Sequence, residues 1–229
     1  MADLPKVVIL LITYKRTDYA LRTIRSIKEH LDYPDLYWVV GDDGSGEEHQ
    51  QALLEAIGDP NCVLSDARQR AGTGYNRNQG LKHAFARTPY VLHVEDDWEL
   101  SEPLDLRPAV EVLVTHTDVG MVRLGYIEEG HLARTVSLCG RLWWELDKRS
   151  GHTNIFAGHP HLLHRRFHEG YKYYPEGWLP GATEDGLAYW VTQIDGPKVL
   201  YPLWRPWGIW HHIGTVKAEE FLDDAGRWR

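Results

Sequence analysis

The first hundred residues alternate between two hydrophobic periods. Val7-Val8-Ile9-Leu10-Leu11-Ile12 is a continuous apolar run rich in β-branched residues, the pattern of a strand buried on both faces. Thr17-Asp18 supplies an N-cap, and Leu21, Ile24, Ile27 and Leu31 follow at helical spacing until Pro34 closes the region. Leu36 to Val40 reads as a second strand, ended by Gly41-Asp42-Asp43-Gly44-Ser45-Gly46. Glu47 to Ile57 reads as a helix, Asp59-Pro60-Asn61 as a turn and Cys62-Val63-Leu64 as a short strand. A loop around Gly72 and Gly74 leads into a helix from Asn76 to Ala86, and Pro89 to Val94 makes a fourth strand ending in Glu95-Asp96-Asp97.

Strands separated by helical stretches of this length predict an α/β fold with a mostly parallel central sheet flanked by helices and right-handed crossovers. Ligands in such sheets collect beyond the C-terminal ends of the strands. The polar clusters Thr13 to Arg16, Asp42-Asp43 and Glu95-Asp96-Asp97 all fall at those ends. Beyond Pro103 the pattern predicts a helix from Leu106 to His116, a strand from Val119 to Leu124 and a hairpin from Tyr126 to Leu138 across Glu129-Gly130. An irregular, aromatic-rich remainder carries one further helix near Glu184 to Thr192. The whole is read as one domain, 1–229, with a ligand-binding half to about residue 100 and a second half after it.

Composition narrows the setting. No apolar run approaches the ~18 residues of a membrane span, and the N-terminus lacks the basic start and apolar stretch of a signal peptide. Cys62 and Cys139 make neither a disulfide framework nor a zinc cluster. The expectation is a soluble cytoplasmic protein without integral membrane association. The chain holds 10 Trp against 4 Phe, which suits surfaces that meet sugars or bases, although a Trp-rich core is the plainer account. Between His131 and Tyr174 the chain is +4 within an overall −8, and it holds six of the thirteen histidines there. That window hints at a local anionic contact.

Glu95-Asp96-Asp97 is the strongest chemical signal. Three consecutive acids repel one another unless a cation or donors compensate, and Mg²⁺ or Mn²⁺ takes few protein carboxylates and completes its shell with phosphate oxygens and water. A solvated acidic turn is the plain alternative, as a helix-capping loop is for Asp42-Asp43-Gly44-Ser45. The combination changes the weighing. An apolar strand followed by Thr13-Tyr14-Lys15-Arg16, then Val-Val-Gly-Asp-Asp-Gly-Ser, Arg77-Asn78-Gln79-Gly80 and Val94-Glu95-Asp96-Asp97-Trp98-Glu99 resembles the GT-A fold nucleotide-sugar glycosyltransferases. The order resembles inverting glycosyltransferase family 2, and the Glu-Asp-Asp form is closer to the N-acetylglucosaminyltransferases of complex N-glycan synthesis.

The resemblance implies a Rossmann-like GT-A sheet, a nucleotide-sugar donor, UDP-linked by preference, and Mn²⁺ or Mg²⁺. Thr13, Tyr14 and Arg16 would border the nucleotide, Asp43 or Asp42 would read the uracil edge, and Arg77 and Asn78 would lie near the diphosphate or donor sugar. Asp97 would ligate the metal, with Asp96 and Glu95 on ribose or sugar hydroxyls. The family pattern is Asp-x-Asp-Asp, and Val94 stands at its first Asp. Thr183-Glu184-Asp185 resembles the acceptor-activating motif, with Asp185 the general base beside Glu184; a helix N-cap is the bland reading, and both can hold. His212, with His211 as the alternative, resembles the C-terminal histidine that completes the metal site, since adjacent side chains on an extended segment point apart.

The acceptor stays open between a glycan and a hydroxymethylated DNA base, as in compact phage-encoded enzymes that look like this family, which would place the protein in the host cytoplasm. A flipped base would stack on Trp143, Trp144, Trp178, Trp204, Trp207 or Trp210, and the backbone would meet Arg149, Arg165, Arg166 or Lys172. Two other readings are a nucleotidyltransferase, whose glycine-rich loop after the first strand is missing, and a non-catalytic metal-dependent sugar- or nucleotide-binding module.

Overall fold

The computed structural model describes residues 4–66, 70–127, 130–148, 155–204 and 208–214. In chain order the elements are β1 (Val7–Thr13), α1 (Thr17–His30), β2 (Leu31–Asp32), β3 (Leu36–Asp42), α2 (Glu47–Ile57), β4 (Val63–Asp66), α3 (Thr73–Phe85) and β5 (Tyr90–Glu95). Then come β6 (Trp98–Leu100), β7 (Leu104–Asp105), α4 (Arg107–Thr115), β8 (Val119–Arg123), β9 (Ala133–Leu138), β10 (Arg141–Leu146) and β11 (His161–His164). The last are α5 (Arg166–Tyr171), α6 (Pro180–Gln193), β12 (Lys198–Pro202) and β13 (Trp210–His212).

Nine strands form one sheet in the order β4-β3-β1-β5-β11-β8-β12-β10-β9. The first four run parallel, as the strand–helix alternation predicts, and β8 and β12 are parallel as well. β11 enters antiparallel between β5 and β8, and β10 and β9 close the far edge antiparallel. Side-chain alternation along β1 explains its unbroken apolar run. Val7, Ile9 and Leu11 join Ile24 and Ile27 of α1 and Val110 and Leu113 of α4 in one core layer. Val8, Leu10 and Ile12 join Leu81 and Phe85 of α3 and Leu187 and Val191 of α6 in the other. The register aligns Thr13 with Asp42 and Ile12 with Glu95, so three polar clusters end at one edge of the sheet.

Four local expectations change. The helix expected near Glu184 to Thr192 begins at Pro180 with Leu179 as its cap, so Thr183 is a buried residue inside α6 and not its N-cap. The cap of α1 is Arg16, not Thr17-Asp18; Thr17 is the first helical residue, and its hydroxyl is engaged by His49 Nδ1 at 2.8 Å. The hairpin lies later than Tyr126 to Leu138: β9 and β10 turn across Cys139-Gly140, both at positive φ (50° and 69°), which is the conformation a two-residue hairpin loop demands. The expected turn residue Glu129 lies outside the described residues. The helix before β5 starts at Thr73, three residues before Asn76. Among the described residues no helix is long and apolar enough to cross a membrane.

Candidate active site

Thr13 ends β1, and its hydroxyl donates to Asp96 Oδ2 at 2.8 Å; the Tyr14 N–H reaches the same oxygen at 3.3 Å. Because the Thr13 proton is spent on Asp96, the contact from His49 Nε2 at 3.2 Å must be an N–H donation to Thr13. Burial lowers the pKa of His49, which keeps it the neutral Nε2–H tautomer with Nδ1 open to the Thr17 hydroxyl. His49 is a site residue that the sequence did not disclose, since a histidine inside a helical stretch carries no signal until the helix is packed.

Arg16 joins the two aspartates. Its Nη2 pairs with Asp96, and its Nη1 lies 2.7 Å from Asp97 Oδ2. Burial works against the guanidinium charge, yet Asp96 and Asp97 outweigh it and raise the Arg16 pKa. Asp96 is fully buried; loss of solvent pushes its pKa up to about 6, with Arg16 pulling down and Asp97 pushing further up. Asp97 is almost as buried, and His212 Nε2 faces its Oδ2 at 3.2 Å, while Asp97 Oδ1 is buried without a hydrogen bond. The backbone encloses this carboxylate: Ile213 N donates to Asp97 O at 2.8 Å, and a Cβ on Gly214 would come within 2.3 Å of Asp97 Oδ2. His211 turns the other way, to Ser101 Oγ at 3.0 Å.

Glu95, at the end of β5, and Glu184, on α6, converge on Gly158. Arg77 Nη2 pairs with Glu95, and the Arg77 guanidinium lies 5.0 Å from the Tyr174 ring, with Nε and Nη1 buried and without hydrogen bonds. Gly158 N donates to Glu184 Oε1 at 2.5 Å. A Cβ on Gly158 would meet Glu184 Oε2 at 3.0 Å and Glu95 Oε1 at 3.1 Å, so only glycine lets both carboxylates approach this backbone. Asp185, the next residue of α6, is exposed.

The remaining candidates are tied to neighbouring loops. Asp42 accepts from Ser45 N at 3.0 Å and Gln50 Nε2 at 2.8 Å. Asp43 accepts from Ala71 N at 2.8 Å and Gly72 N at 3.1 Å, and burial pushes its pKa up against those donors. Asn78 exchanges hydrogen bonds with the backbone of Tyr174 and donates to Glu176 Oε1 at 2.7 Å. Lys15 and Arg70 both lie over the Tyr14 ring, at 5.2 and 5.0 Å, which brings two cations to this rim.

Within the basic window, Gly158 and His159 lie at the site, but Arg165 and Arg166 are placed elsewhere. Antiparallel pairing puts His164 opposite Tyr90, the first residue of β5, so Arg165 and Arg166 sit at the end of the sheet away from Glu95, a strand length of roughly 17 Å. Their guanidinium groups serve the backbone: Arg165 reaches Phe85 O, and Arg166 Nη1 reaches His116 O at 3.0 Å and Val119 O at 3.1 Å. Burial lowers the pKa of His161 to about 3 and of His164 and His168 to about 4, so these rings are neutral rather than cationic. Lys172 lies over Trp190. Trp143 and Trp210 are buried in the core and so offer no face for stacking; Trp143 also donates to Leu138 O and packs edge-on to Trp204. Trp144 is half-buried against Tyr201, whereas Trp178 is 53% exposed. Arg149 and Trp207 lie outside the described residues.

Could these residues hold a divalent cation? Among the described residues no three His, Cys, Asp or Glu side chains are arranged to enclose one alone. The orphaned Asp97 Oδ1 and the facing His212 nonetheless fit a hard cation whose other ligands come from a diphosphate and water.

A family model described as glycosyl transferase family 2 matches residues 8–168. Among curated proteins, no sequence matches the chain. Among solved structures, S. aureus TarS 1-349 in complex with UDP-GlcNAc is similar at a TM-score of 0.61 and 18% identity, over 93% of this chain and 62% of that one. The mannosyltransferase PcManGT from Pyrobaculum calidifontis, in complex with GDP-Man and Mn²⁺, is similar at 0.60 and 20% identity, over 88% and 55%. GalNAc-T7 with UDP, GalNAc and Mn²⁺ gives 0.59 and 16% identity, over 88% and 43%. The chain thus spans less than two thirds of each of these structures, and the likeness is one of fold, the GT-A arrangement.

Proposed function

The chain belongs to glycosyl transferase family 2, and we propose that it moves a sugar from a nucleotide donor, UDP-linked, to an acceptor hydroxyl with inversion, using Mn²⁺ or Mg²⁺. The observation that carries this reading is the corner at the end of β5: Asp96 and Asp97 tied by Arg16, with the orphaned Asp97 Oδ1 and His212 beside it. TarS, PcManGT and GalNAc-T7, which share the fold, are described with UDP-GlcNAc, with GDP-Man and Mn²⁺, and with UDP and Mn²⁺.

In this reading Asp97 and His212 hold the cation, which supplies positive charge for the leaving diphosphate. Thr13 and Tyr14 would border the nucleotide beside the fixed Asp96 carboxylate, and Asp43 or Asp42 would read the base edge. Arg77 brings its unpaired Nε and Nη1 to the donor side, and Lys15 and Arg70 add positive charge at the rim. The acceptor oxygen attacks the anomeric carbon as the bond to the diphosphate breaks, and the electron pair leaves with the β-phosphate oxygen. The acceptor proton passes to Asp185, an exposed carboxylate next to Glu184, which the Gly158 N–H orients.

The test is UDP release from a panel of UDP-sugars with mixed methyl glycosides as acceptors. Asp185→Asn is expected to lower the rate by about 100-fold or more, with the product's anomeric configuration inverted by NMR. A fully active Asp185→Asn protein and an inactive Glu184→Gln protein would move the base to Glu184.

A further inference from the structure

Four aromatic rings from separate stretches of chain form a continuous wall beside the Asp97–His212 corner. Trp98 is the buried floor, its ring 5.1 Å from that of His212 and 4.9 Å from that of His159. Tyr126 covers His159 at 4.2 Å and stands 5.8 Å from Trp98, and it is 41% exposed where Trp98 is 3%. The close approach is built into the backbone: a Cβ on Gly125 would lie 2.6 Å from His159 Cβ. His159 directly follows Gly158, whose N–H holds Glu184. The wall therefore runs from the acid next to the leaving group to the acid next to the base.

We propose that this wall is the acceptor subsite and that the acceptor is an uncharged sugar ring, stacked by its C–H face on Tyr126. The assignment rests on the transferase reading above and adds the acceptor class to it. A pyranose presents an apolar face and hydroxyl edges, which match an exposed aromatic face bordered by hydrogen-bond acceptors. Those acceptors are Asp97, which His212 faces, and Glu95 and Glu184, which converge on Gly158; they take hydroxyl protons and repel a polyanion. Of the cations at this edge, Arg16 and Arg77 are paired with Asp96, Asp97 and Glu95, and Lys15 and Arg70 belong to the Tyr14 side. Arg123 lies behind the wall, 2% exposed, and its guanidinium is turned to Tyr126 O at 3.1 Å and Ile155 O at 3.4 Å rather than to the exposed face. Arg165 and Arg166 are at the opposite end of the sheet, so a phosphate-rich strand on Tyr126 would find no counter-charge from them.

The experiment is saturation-transfer NMR on the full chain with UDP and diamagnetic Mg²⁺ present. The probes are methyl glycosides of glucose, galactose, mannose and N-acetylglucosamine, alongside a single-stranded oligonucleotide carrying hydroxymethylcytosine. At least one glycoside should show transfer to its ring protons. Tyr126→Ala should weaken its binding about tenfold or more, and Tyr126→Phe and Tyr126→Trp should retain it, which separates a lost stacking face from a general disturbance. No glycoside contact, wild-type binding by a folded Tyr126→Ala protein, or saturation of the oligonucleotide in place of the glycosides would overturn the assignment. A UDP-dependent melting shift in the same samples keeps the two claims apart. Its presence without glycoside contact removes the acceptor class alone, and its absence removes the transferase reading and this one with it.

Discussion

Thr13 and Asp96 stand 83 positions apart in the chain and 2.8 Å apart in the fold, the hydroxyl at the end of β1 donating to the carboxylate just past the end of β5. Parallel pairing in register makes this contact, since Ile12 lies beside Glu95. The same hydroxyl receives His49, so one atom joins α2 to the acidic cluster.

Thr13→Val tests that junction. The substitution keeps the β-branched shape but strands His49 Nε2 and removes one donor from a fully buried carboxylate. A loss of about 2 kcal/mol is expected, read as a fall in melting temperature of roughly 4–8 °C. Thr13→Ser should recover most of it. Equal melting of all three proteins would mean that the hydroxyl carries no weight.

The pH dependence of Asp96 has a definite sign. Its folded pKa of about 6 lies above the ordinary 3.8, so the folded protein holds this proton more tightly than the unfolded chain. That contribution is complete below about pH 4 and is lost as pH rises through about 6, an amount on the order of 3 kcal/mol. Asp96→Asn cannot titrate. Relative to the wild type, its stability should improve between pH 4 and pH 7, by urea melts at each pH. Parallel curves for the two proteins would contradict the buried, raised carboxyl.

Gly158→Ala probes the meeting of Glu95 and Glu184. The added methyl would press on the ends of two side chains rather than on backbone, so folding should tolerate it, with the melting temperature within about 3 °C of the wild type. Displacing both carboxylates should cost sugar transfer about tenfold or more. Full activity would show that their convergence on this backbone is immaterial.

Much of the frame was legible in the sequence because local pattern and tertiary role agree there. The run from Val7 to Ile12 is apolar on both faces because helices cover both faces, and the helix from Glu47 to Ile57 is read at its observed bounds. The later strands were not, for physical reasons. β11 is a four-residue strand written His161-Leu162-Leu163-His164, with His161 buried and His164 half-buried against β5 rather than exposed as charge. Composition alone makes that segment a basic surface, and only the register shows that Arg165 and Arg166 face away from the acids. The turn at Cys139-Gly140 escaped because Glu129-Gly130 offers an equal glycine signal. In the site, motif residues such as Thr13, Arg16, Asp96 and Asp97 are adjacent to strand ends and so could be found, whereas His49, Gly158 and Tyr126 acquire their roles through contacts between distant segments.

The most direct measurement is the melting temperature of the wild type and of Asp97→Asn with UDP, with and without Mn²⁺. Ligand at a hundred times its dissociation constant adds about 2.7 kcal/mol, or roughly 5–11 °C here. The wild type should show that rise with UDP only when Mn²⁺ is present, and Asp97→Asn should lose the Mn²⁺-dependent part. A shift indifferent to Mn²⁺, an unchanged response of Asp97→Asn, or no shift with UDP would contradict a UDP-sugar site built around a cation on Asp97.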